Sequence, residues 1–204
     1  MGLFDFFRRP PPIGDAVALA DFIDENAAFL VQKGIYEYSR ARAGPYSKML
    51  LVEPAFIAAV NESRWKAYPL GLAMVAEAAE GALRPAAGDD RRPVVDALTA
   101  VVLGVFDRHP VPESIGPEPW AAARSELAHR LNLIGAHAPK AVKDVPEPMA
   151  QAYFDLMPID ERLRGRDFGT VRNYLRISLI NIHTRLIQRL DPAAVVADLR
   201  RSMQ

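Results

Sequence analysis

The stretch from Arg162 to Leu190, RLRGRDFGTVRNYLRISLINIHTRLIQRL, constrains the fold more than any other part of the chain. Val171, Tyr174, Leu175, Ile177, Leu179, Ile180, Ile182, Leu186, Ile187 and Leu190 recur at helical spacing, with apolar groups facing several directions. A helix that is apolar on most sides belongs inside a bundle. The expected fold is therefore all-α, a multi-helix bundle of about seven to nine helices around a central C-terminal helix over about 168–190.

The rest of the chain supports that class. Leu19, Phe22, Ile23, Ala27, Leu30, Val31, Ile35 and Tyr38 form one stripe of a helix spanning Asp15 to about Ala43. Asp15 is placed to cap it, Gly34 to bend it, and Gly44-Pro45 to end it. A short helix is expected over Tyr46–Val52. Pro54 then suits the first position of a helix running to Arg64. Pro69 is expected to interrupt it, with Leu70–Leu83 (LGLAMVAEAAEGAL) following as a small-residue helix that a neighbour can approach closely. After a polar loop at Arg84–Pro93 come helices at Val94–Arg108, Trp120–Ile134, Met149–Met157 and Ala193–Ser202. Asp167 is expected to cap the central helix. No alternating strand pattern and no internal repeat is visible.

At 204 residues the chain suits a single domain. The expected organisation is an arm over 1–12 and one helical domain over 13–204. The proline-rich segment at 109–119 is the best candidate for a subdomain boundary. The absence of cysteine excludes disulfides, thiolate catalysis and Cys-based zinc sites, and fits a reducing compartment such as the cytoplasm. The 25 basic and 25 acidic residues cancel, so no global field favours nucleic acid, and no nucleic-acid partner is expected. No segment is long and apolar enough to span a bilayer.

The arm, MGLFDFFRRPPP, sets Phe4, Phe6 and Phe7 beside Arg8 and Arg9. Such a tip could enter a lipid headgroup boundary at the inner membrane face, or its rings could pack on the domain. Three further groups attract attention. Tyr36, Tyr38, Tyr46, Trp65 and Tyr68 alternate with Arg40, Arg42, Lys48, Arg64 and Lys66, a mixture able to stack on and pair with a flat or hydrophobic ligand, or simply to seal a bundle. Arg162, Arg164 and Arg166 precede a helix start, where an anion could bind, but Asp160, Glu161 and Asp167 are at hand to neutralise them locally. In the central helix, Asn173, Ser178, Asn181 and His183 either satisfy one another in a core or line a pocket. Glu77 and Glu80, spaced i, i+3 without an adjacent histidine, suggest a solvated face. No metal-ligand spacing, cofactor motif or nucleophile elbow is present.

The segments LVQKGIYEYSRARAG, SRWKAYPLGLAMVAEAAEG and ERLRGRDFGTVRNYLR resemble a family of small uncharacterised bacterial all-helical proteins that have at times carried the label esterase. They cover about a quarter of the chain. The label implies an acyl hydrolase, without assigning any catalytic residue here. Two functions are therefore expected in order. The first is a non-catalytic interaction, assembly or regulatory protein of the cytoplasm, with a protein partner, room for a homo-oligomer, and a membrane-peripheral arm. The alternative is a small esterase-like hydrolase or hydrophobic-ligand-binding bundle, using Tyr36, Tyr38, Arg40, Arg42, Trp65, Tyr68, Arg166, Asn181 and His183. No cofactor or metal is called for by either.

Overall fold

The structure is a computed structural model and describes residues 11–202. All regular secondary structure among them is helical, apart from one isolated bridge between Ile13 and Leu190. Seven helices have nine residues or more: α1 (Ala16–Ala43), α3 (Pro54–Ala87), α4 (Arg92–Asp107), α5 (Pro117–Ile134), α6 (Glu147–Asp155), α8 (Phe168–Ile187) and α9 (Pro192–Arg201). Two single turns, α2 (Ser47–Leu50) and α7 (Glu161–Arg164), complete the set. The expected all-α bundle of seven to nine helices is what the chain forms.

Helix α1 follows its sequence pattern closely. All eight residues of the expected stripe are buried, and the Asp15 carboxylate accepts from the Ala18 N–H at 2.7 Å as the N-cap. Gly34 leaves a gap that two tyrosines fill. Tyr153 and Tyr174 lie across it and donate their hydroxyls to the carbonyls of Val31 (3.1 Å) and Leu30 (3.0 Å).

The middle of the bundle shifts from α8 to α3. Helix α8 buries Val171, Leu175, Leu179, Ile182 and Leu186 on one stripe against α1, α3 and α6, while Ile177, Ile180 and Ile187 face outward. The segment enclosed on all sides lies in α3, where Leu72 through Glu80 are buried without a break. Small side chains explain it. Ala73, Ala76, Ala78 and Ala79 give neighbours access from every direction, and α1, α4, α5, α8 and α9 all pack on α3.

The expected interruption at Pro69 does not occur. Helix α3 runs through Pro69 and Pro85 to Ala87. An internal proline costs roughly 3 kcal/mol through its missing donor and steric clash. Burial of the α3 faces by the surrounding helices outweighs it. The N-cap expected of Asp167 is also absent: its carboxylate turns away to accept from the Tyr38 hydroxyl (3.1 Å) and to meet Arg42 (3.3 Å).

The chain start is fastened to the α8–α9 junction. Ile13 is fully buried, its N–H donates to the Arg189 carbonyl (2.8 Å), and its own carbonyl accepts from Asp191 (2.9 Å). Arg189 also donates to the Pro11 carbonyl at 2.9 Å. The expectations for Phe4, Phe6, Phe7, Arg8 and Arg9 fall outside the described residues.

Candidate functional site

Two features stand out on this scaffold, one charged and enclosed, the other apolar and open.

The charged feature lies under the connector between α5 and α6. Glu77, Glu80 and Arg84 share one face of α3. The solvated face expected for the two glutamates is corrected by their burial, with side chains only 9% and 5% exposed. Arg84 grips Glu80 with a two-pronged contact, Nε to Oε1 and Nη2 to Oε2, both 2.8 Å. Its remaining N–H groups reach the Ile134 carbonyl (3.1 Å) and the His137 carbonyl (2.9 Å), satisfying carbonyls at the end of α5. Lys140 donates to Glu77 Oε1 at 2.7 Å, and His137 Nε2 stands 3.7 Å from the same oxygen. Burial is affordable here because each carboxylate has a cation.

A cavity of about 120 Å³ opens beside these groups and is also lined by Val142, Val145 and, from α8, His183. Burial pushes His183 below the usual histidine range, so its ring is neutral near pH 7. Two carboxylates and two cations thus meet here beside the rings of His137 and His183. The cluster braces the 135–141 connector to α3. Among the described residues no group of three or more His, Asp or Glu side chains is arranged to hold a metal ion.

The apolar feature lies where α1 ends. Ala43, Tyr46, Met49 and Leu50 on one wall face Ile159 and Leu163 on the other across a groove of about 500 Å³, with Arg42 and Glu53 at its rim. Met49 is 72% exposed and Leu163 61%. Val52 continues the exposed patch along the chain. Two four-residue turns, α2 and α7, carry Met49, Leu50 and Leu163, and turns so short have no opposite face to bury them.

The residues singled out in the sequence are distributed over separate places. Trp65 and Tyr68 close a solid aromatic cluster. Tyr68 donates to Asp24 at 2.6 Å and contacts His109 at 3.1 Å, and Trp65 meets Tyr68, His109 and Trp120 edge-on. Burial first, and then the Asp24 contact, push the Tyr68 hydroxyl far above its ordinary pKa. Tyr38 packs edge-on against Phe154, and burial followed by the Asp167 hydrogen bond pushes it up to about 12. Arg42 joins Tyr38 at Asp167, whereas Arg40 pairs with Glu37 on the surface. Tyr36 faces outward from α1. Arg166 and Asn181 are exposed, and His183 alone reaches the charged cavity. Helical phase turns Tyr36 outward and Tyr38 inward, so these two tyrosines do not share one site.

The three clustered arginines have separate surroundings. Arg162 pairs with Asp160, and Arg164 donates to the Phe154 carbonyl at 2.7 Å. Sequence reasoning missed Met49, Val52 and Leu163. The signal was there in SKMLLVEP, an apolar run too short for a core helix and bounded by Gly44-Pro45 and Pro54.

Ser39 is fully buried, with no hydrogen-bond partner for its hydroxyl. The histidine rings bond to Tyr68, Asp24 and the Ala138 carbonyl, and none bonds to a serine among the described residues. Comparison of the chain with protein-family models, with curated proteins and with solved structures gives no match. No helix among the described residues is long and apolar enough to cross a membrane.

Proposed function

We propose that the protein is a non-catalytic helical interaction module of the cytoplasm, and that the groove between α2 and α7 receives an amphipathic helix of a protein partner. One observation carries this reading: apolar side chains from two turns more than 110 residues apart converge on one open groove. Apolar surface of that kind, rimmed by charge, favours association because covering it releases ordered water. The rim suggests the chemistry of the occupant. Arg42 is engaged by Asp167, while Glu53 has no ion pair among the described residues. A helix with Lys or Arg beside its apolar stripe matches that arrangement. The absence of cysteine agrees with a reducing compartment.

The test is affinity capture of the native chain alongside a Met49→Asp, Leu163→Asp double variant. Both positions are exposed, so the variant should melt with the native protein. A partner captured by the native chain and lost from the variant, whose amphipathic helix binds as an isolated peptide, supports the reading. Identical capture by both proteins contradicts it, and concentration-dependent self-association lost in the variant replaces the partner with a second copy.

A further inference from the structure

Helix α8 carries a second line of residues on the side away from the core, sharing none with the α2–α7 groove. Asn173, Ile177, Ile180, Thr184 and Ile187 are all exposed and recur at steps of four and three. Ile177 is 61% exposed, Ile180 43% and Ile187 50%. Thr184 donates its hydroxyl to the Ile180 carbonyl at 2.9 Å, so its polar atom is already satisfied. Apolar residues scattered singly are ordinary on a surface, whereas three isoleucines in line over about 15 Å of helix make a seam.

Charge is kept off this line. Two arginines of α8 leave it sideways: Arg176 reaches the Lys143 carbonyl at 3.1 Å, and Arg185 reaches Asn26 of α1 at 2.8 Å. Their spacing in the chain sets them on opposite sides of the helix, one toward α6 and the other toward α1. Asn181 and Gln188, also exposed, are uncharged. A centre without charge and a rim that carries it is the composition of an interface core.

The rims complement each other at one level of the helix. On the α1 side, Lys33 has no ion pair among the described residues and stands next to Gly34, against which Tyr174 packs. Glu37, one turn further, is already paired with Arg40. On the α6 side, Asp144 and Glu147 meet Arg172 and Arg176 only at 3.6–3.9 Å, and both carboxylates stay more than a third exposed. They retain lone pairs for another cation.

We propose that the protein forms a parallel twofold dimer through this face of α8, each residue of the line meeting its own counterpart. Steps of four and three are the a and d spacing of a two-helix seam, so the line fits a second copy of itself. A twofold axis along the helix sets the α1 side of one copy against the α6 side of the other, bringing Lys33 to Asp144 and Glu147. An antiparallel pair would set each side against itself. The seam is short, so the dimer dissociates on dilution rather than being permanent.

Sedimentation of the full-length protein over about a hundredfold range of concentration tests the contact. The native chain should pass from monomer to dimer. Ile177→Glu with Ile180→Glu, both at exposed positions, should raise the dissociation constant at least about tenfold while melting like the native monomer. A native chain that stays monomeric throughout, or a double variant that dimerises equally well, overturns the proposal. The Met49→Asp, Leu163→Asp variant should dimerise like the native chain; loss of the dimer there moves the contact to the groove and overturns it too. The cysteine-free sequence lets disulfide trapping read the orientation. Under mild oxidation Asn173→Cys alone and Ile187→Cys alone should each give a linked dimer. Linkage only in a mixture of the two variants overturns the parallel arrangement, and linkage in neither case overturns the contact itself.

Discussion

Glu80 and Arg84, one turn apart on α3, form a two-pronged ion pair that is almost entirely removed from solvent. The pair ties the central helix to the end of α5, because Arg84 also holds the Ile134 and His137 carbonyls.

Breaking that pair from one side should be costly. Arg84→Leu leaves Glu80 charged and buried and releases two carbonyls, so a loss of about 3–5 kcal/mol is expected. Replacing both partners, Glu80→Leu with Arg84→Leu, should cost clearly less than the sum of the single changes. Urea denaturation of the four proteins in the cycle measures the coupling. Additive losses would show that the two side chains act independently.

Two glycines of α3 should respond oppositely to alanine. A Cβ at Gly71 would stand 2.9 Å from Val31 Cγ1 and 3.0 Å from the Ala27 carbonyl oxygen, where backbone cannot yield easily. Gly71→Ala should therefore cost about 1–3 kcal/mol by forcing α1 and α3 apart. At Gly81 nothing lies within 4 Å, so Gly81→Ala should stabilise the protein by about 0.5–1 kcal/mol through helix propensity. Thermal melting of both variants checks the pair.

His183 should make stability fall in mild acid. Its folded pKa is depressed by burial, so below about 6.5 the unfolded chain takes up a proton that the folded chain refuses. Stability is full above that value and declines as pH falls towards the lower folded pKa. Urea midpoints at pH 7.5 and 5.5 should differ less in His183→Gln than in the native protein.

The parts legible in the sequence are those whose causes are local. The α1 stripe and its Asp15 cap rest on helical period and one side-chain hydrogen bond, and both are where the pattern predicts. Pro69 misleads because its cost is local while the packing that overrides it comes from helices elsewhere in the chain. Glu77 and Glu80 look solvated because their region supplies one nearby cation, Arg84; Lys140 and the covering connector lie more than 50 residues on. Asp167 likewise has its partners, Tyr38 and Arg42, more than 120 residues away, Tyr38 at a separation of 129. The α2–α7 groove escapes notice for the same reason, since Met49 and Leu163 become neighbours only in the folded chain.

The interaction reading rests on that groove, and photo-crosslinking tests it most directly. A photoreactive side chain placed at Met49 of the full-length protein, with one at exposed Asp89 as control, is activated in living cells. One protein partner should crosslink from Met49 and not from Asp89, through a peptide that forms a basic amphipathic helix. The same products from both positions, or none from Met49, would contradict the assignment of the groove as the docking surface.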